Sequence, residues 1–147
     1  MAMADLLALL GLFATCLAAG SVVPIPSEAA FVALLLGSDF APWTLLVTAT
    51  AGNVTGSTVN WLIGRGAARL ADRRWFPVSE TVLDRGRSWY HRYGRWSLLM
   101  SWIPIVGDPL TITAGVMREP LWSFLLIVSM AKFARYAMLA GATLYFV

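Results

Sequence analysis

Two carboxylates in this chain stand where a charge is costly. Glu28 lies in the apolar run Val22-Val23-Pro24-Ile25-Pro26-Ser27-Glu28-Ala29-Ala30-Phe31-Val32, and Asp108 in Trp102-Ile103-Pro104-Ile105-Val106-Gly107-Asp108-Pro109-Leu110. Both runs are broken by prolines, so neither crosses a bilayer as a straight helix. An ionisable group on broken backbone at membrane depth marks a substrate or ion path unless it is merely neutralised by a partner. Glu28 and Asp108 are therefore the candidate proton-coupling or gating acids. Pro24, Pro26, Pro104, Gly107 and Pro109 are the candidate breaks.

The matching cations lie in the last apolar run. Lys132 and Arg135 are three residues apart and share a helix face, with Tyr136 beside them. A deep cation must pair or face water. Guanidinium and ammonium together suit a phosphate or another anionic headgroup, Arg supplying the bidentate contact. The polar residues Asn53 and Asn60 stand in the run 43–63, where Gly52, Gly56, Asn60 and Gly64 repeat at every fourth position. Small residues at that spacing allow close helix approach in lipid, and asparagines can bond across it. Packing and substrate contact are both open for Asn53 and Asn60. The expected centre is two carboxylates from the breaks facing two cations from the last helix, with Tyr136, Asn53 and Asn60 at the substrate; the alternative is a neutral structural cluster.

These residues need a membrane frame to position them. The 147 residues are 59% hydrophobic and only 13% charged, with mean hydropathy +0.70, which a soluble domain this small cannot bury. Leu6 to Ala19 is a first apolar block. Ala29 to Leu36 is a short second arm. Trp43 to Ile63 is long enough to span, Trp96 to Ile103 and Leu110 to Met117 are short arms around the second break, and Leu121 to Val147 spans again. The halves resemble each other: break, acid, short arm, Trp, long run. The pattern predicts an all-α integral membrane protein with two opposed re-entrant helical hairpins, each followed by a spanning helix, as an inverted repeat. A single membrane domain covers 1–147, divided into 1–64, a loop at 65–95, and 96–147. Leu6–Ala19 is long for a half-crossing arm, so spanning or lying at the interface are also open to it.

Eight of the eleven basic residues fall between Arg65 and Arg95. That bias places the loop in the cytoplasm, where its basic and aromatic side chains meet anionic headgroups; a basic loop between membrane segments does not point to nucleic acid. His91 reads as an interfacial residue of that loop. Cys16, the one cysteine, reads as a small buried hydrophobe. No basic residue precedes the first apolar block, so it reads as a retained helix and not a cleaved leader. No metal-ligand cluster, phosphate loop or nucleophile elbow is present in the sequence. The expectation is a non-enzyme without cofactor.

Ser101-Trp102-Ile103-Pro104-Ile105-Val106-Gly107-Asp108-Pro109-Leu110, followed by Ala114-Gly115-Val116-Met117-Arg118, resembles the signature of the YqaA branch of the DedA superfamily (VTT or SNARE-associated domain proteins). Thr48 to Gly56, Lys132-Phe133-Ala134-Arg135-Tyr136 and Pro26-Ser27-Glu28 are similar to the same branch. The resemblance implies a multi-pass protein of the bacterial inner membrane with two opposed re-entrant hairpins. It also implies translocation of polyprenyl phosphates or phospholipids, with the proton-motive force involved. Typical members carry Arg-Phe-x-Pro-x-x-Arg in the second hairpin; here both arginines are absent and Asp108 is gained, so Lys132 and Arg135 stand as replacement cations. The resulting expectation is a transporter or flippase for an anionic lipid or lipid-linked phosphate, coupled to protons. Its alternatives are a small-solute or ion antiporter and a non-transporting scaffold. The modest apolar area of one chain leaves room for a homodimer.

Overall fold

The computed structural model describes residues 2–21, 23, 25–67, 79–103 and 106–147. Among them every regular element is helical: α1 Met3–Gly20, α2 Ser27–Gly37, α3 Pro42–Ala67, α4 Glu80–Tyr93, a 3₁₀ segment Gly94–Trp102, α5 Gly107–Val116 and α6 Leu121–Phe146. Local chemistry sets the ends. The Asp5 carboxylate accepts the Ala2 N–H at 2.8 Å, one half of a capping box. Pro42 opens α3 and Pro26 and Pro120 immediately precede α2 and α6, where a missing N–H costs nothing. Gly94 ends α4 at φ +60 and ψ −148, a region open essentially to glycine alone. The nine-residue 3₁₀ run is uncommonly long; its threefold repeat eclipses Leu98 and Ser101, both fully buried.

α3 is the central helix, packed by α1, α5, α6 and α2. Its small residues make this possible. A Cβ on Gly52 would strike the Phe13 backbone, one on Gly56 the backbones of Leu17 and Gly20, and one on Gly64 the carbonyl of Ile112. α1 therefore runs parallel to α3 along its first part, and α5 runs parallel to its last part. α6 runs antiparallel, since Trp43 meets Phe133 while Trp61 meets Phe124. The four-residue stripe thus serves two different neighbours.

Among the described residues, two helices are long and apolar enough to cross a membrane, Met3–Gly20 and Leu121–Phe146. The first is the block whose role the sequence left open. α3 has the length, 26 residues, yet its face of Gly, Ser, Thr and Asn lowers its hydropathy because other helices, not lipid, cover it. Part of the 65–95 loop, including Trp75, and the prolines Pro24 and Pro104 lie outside the described residues.

Candidate functional site

Glu28 and Asp108 occupy equivalent places. Each is the second residue of a short helix that follows a break, α2 and α5 respectively, where the helix dipole favours an anion. Each faces a cation of α6. The Glu28 carboxylate forms an ion pair with the Arg135 guanidinium, their side chains 35% and 14% exposed. Asp108, part-buried, interacts electrostatically with Lys132, a side chain almost wholly withdrawn from solvent. Of the four charges that the sequence singles out, Glu28 and Arg135 form an ion pair, whereas Asp108 and Lys132 attract each other at longer range without forming one.

Two separate hydrogen-bond groups lie beside these charges. The Tyr136 hydroxyl pairs with Ser27 Oγ at 2.9 Å, accepts from Asn53 Nδ2 at 3.1 Å and donates to Cys16 Sγ at 3.5 Å. Asn60 Nδ2 donates to the Gly20 carbonyl and to Thr111 Oγ1, both at 3.2 Å, and Thr111 donates in turn to the Asp108 carbonyl at 2.7 Å. Asn60 therefore ties the end of α1 to the start of α5. The side-chain oxygens of Asn53 and Asn60 have no hydrogen-bond partner among the described residues. Pro26 precedes α2 and Gly107 opens α5 against the Ser101 backbone, while Pro109 lies inside the first turn of α5. His91 is exposed on α4, and Cys16 is fully buried.

A second polar cluster, absent from the sequence reading, surrounds Glu119 at the other end of α5. Its carboxylate accepts from Ser123 Oγ at 2.6 Å and from the Tyr90 hydroxyl, and Arg95 Nε lies 3.7 Å away. Its carbonyl accepts from Trp61 Nε1 at 3.1 Å. Burial, with the bond to and charge of Glu119, pushes the Tyr90 hydroxyl well above its ordinary range, so Tyr90 stays the donor. Glu119 is 6% exposed. The signal that could have found it is the one that found Asp108: an acid between two apolar runs and beside a proline.

A family model for the VTT domain matches residues 23–144. The chain belongs to the VTT-domain (DedA) family. Among its VTT relatives is the inner membrane protein YqaA of Escherichia coli K12, 36% identical over 143 residues that cover 96% of this chain and 94% of the relative. An uncharacterized protein of Haemophilus influenzae is 33% identical over 87% of this chain and 82% of its own length. Undecaprenyl phosphate transporter A of Staphylococcus aureus is 30% identical over 73% of this chain and 59% of its own length. No solved structure matches significantly. The match spans both break units, so each of the four charged site residues lies inside the VTT domain.

Proposed function

We propose that this VTT-domain protein carries an anionic lipid or lipid-linked phosphate across the bacterial inner membrane, the two break units acting as opposed re-entrant hairpins. The observation that carries the reading is the arrangement of Glu28–Arg135 and Asp108–Lys132: each break contributes one acid, and one helix holds both cations. An arriving phosphate competes with Glu28 for the Arg135 guanidinium, which it fits equally well, and with Asp108 for the charge of the Lys132 ammonium, so displacement of Glu28 or Asp108 is the gating event. Release of the displaced acid by protonation couples the step to a pH gradient. The free oxygens of Asn53 and Asn60 supply acceptors beside the path. Kinship with a protein named as an undecaprenyl phosphate transporter supports the substrate class.

The full partnering of the Tyr136 hydroxyl favours a second reading, a scaffold whose polar seam only holds the helices. Proteoliposomes separate the two. Labelled polyprenyl phosphate or phospholipid should cross with the wild-type protein, faster with a pH gradient, and should stop crossing with Glu28→Gln or Asp108→Asn. Well-folded wild type that moves no lipid leaves the scaffold standing.

A further inference from the structure

Two arginine side chains contact the Trp61–Glu119 site, far from the deep pairs, and the backbone of a third, Arg118, adjoins it. Arg65, exposed at the end of α3, lies over the Trp61 ring with its guanidinium carbon 4.9 Å from the ring centroid. Trp61 is itself pinned by its bond to the Glu119 carbonyl. Arg95, its side chain 49% exposed, touches the Glu119 carboxylate only through Nε at 3.7 Å, and its terminal nitrogens make no hydrogen bond among the described residues. Arg118, exposed, is the residue before Glu119. The Gly115 position meets both the Trp61 carbonyl and the Arg65 amide, which fixes the end of α5 against the end of α3.

The backbone at Arg118 is fixed. Its φ is 58. The Arg118 N–H bonds the Gly115 carbonyl at 3.0 Å and the Glu119 N–H the Ala114 carbonyl at 2.9 Å, the two bonds of a Schellman motif. Glycine is the usual occupant of that position, and an arginine there carries strain of the kind that collects at ligand sites. One carboxylate with two hydroxyl donors already bound cannot neutralise three guanidiniums. Trp96, next to Arg95 in sequence, and Trp122, three residues after Glu119, are exposed, as aromatic residues at headgroup level are. The start of α6 adds its positive dipole end. Lys132 lies eleven residues beyond Leu121, roughly 16 Å along the helix axis.

We infer that Arg65, Arg95 and Arg118 form a phosphate-monoester site at the cytoplasmic membrane surface, separate from the deep charge pairs. The Arg65 guanidinium, stacked on Trp61, is a pre-oriented fork, and guanidinium forks match phosphate oxygens better than ammonium groups do. The site binds whether or not the protein transports, because binding and crossing are separate measurements.

The test uses the purified full chain in nanodiscs of phosphatidylcholine. Binding is titrated with inorganic phosphate in one arm and with short-chain phosphatidic acid in the other. Arg65→Gln, Arg95→Gln and Arg118→Gln should each weaken binding by about tenfold, the effect of one charge-assisted hydrogen bond, and Arg→Lys at each position should recover it only in part. Arg85→Gln, an exposed charge of α4 outside the cluster, should leave binding unchanged. Binding in the lipid arm alone assigns a headgroup site; equal binding in both arms assigns a free-phosphate site. Either supports the monoester chemistry. Equal loss with Arg85→Gln, no loss with any cluster variant, or no binding by wild type overturns it. Intact gel-filtration and thermal-melting behaviour of Arg→Lys variants keeps the result readable if a Gln variant misfolds.

Discussion

Asn60 Nδ2 lies 3.2 Å from the carbonyl oxygen of Gly20, the last residue of α1. A helix ends with carbonyls that have no partner within the helix, and here one is satisfied by a side chain from the middle of α3. The same nitrogen reaches Thr111 on α5. The two breaks therefore meet through one amide.

Asn60→Ala and Asn60→Leu should each destabilise the protein by about 1 kcal/mol, because both remove a buried donor and leave the Gly20 carbonyl only the long bond from Ser57 Oγ at 3.5 Å. Thermal unfolding in detergent, followed by tryptophan fluorescence, checks this. An unchanged midpoint for both variants would show that the seam is held elsewhere.

The charge pairs predict non-additive variants. Lys132→Met should remove a longer-range attraction on Asp108 and destabilise the protein, and adding Asp108→Asn should recover part of the loss. The Glu28–Arg135 pair should show the same pattern with a smaller coupling, because the Glu28 side chain is 35% exposed and solvent screens it. Double-mutant cycles on unfolding free energy measure both; strictly additive losses would mean that the pairs do not interact.

Tyr90 and Glu119 tie α4 to the start of α6. Tyr90→Phe should cost roughly 1–2 kcal/mol for a lost bond to a charged group and should speed amide hydrogen exchange through α4, with little change in α1. Unaltered exchange in α4 would assign its docking to Leu83 and Gly86, which also face inward.

Arg118→Gly removes a left-handed arginine from a position built for glycine. Stability should rise by up to about 1 kcal/mol, seen as a higher melting midpoint, while phosphate binding falls. A lower midpoint would show that the Arg118 side chain contributes more to folding than its backbone costs.

Much of this molecule can be read from residue type and spacing. The lengths of α3 and α6, the breaks before Glu28 and Asp108, and the depth of Lys132 and Arg135 all follow from hydrophobic runs interrupted by proline and charge. Which acid meets which cation does not follow. Residues three apart on a helix share a face but point in directions that differ by about 60°, and only the packing of α2 and α5 decides that Arg135 takes Glu28. Glu119 carries the same signal as Asp108, but Arg118-Glu119-Pro120 also reads as an ordinary polar turn, and its partners Tyr90 and Arg95 come from distant sequence. The 3₁₀ form of Gly94–Trp102 has no signature in composition. α1 exceeded the half-crossing length that the repeat pattern wanted, since nothing in the second half constrains the first arm to match.

Four charges meet along α6, two of each sign, and their sum is zero wherever the protons among them reside. The interior is electrically complete before any guest arrives. A negatively charged guest would leave it with excess charge in a medium of low dielectric, a state too costly to persist. Under the proposed function, such a guest is admitted only as part of a neutral parcel: with a cation of its own, with a proton taken up on entry, or with a carboxylate swung out to water. Electroneutrality, before any detail of shape, would then set the stoichiometry of transport.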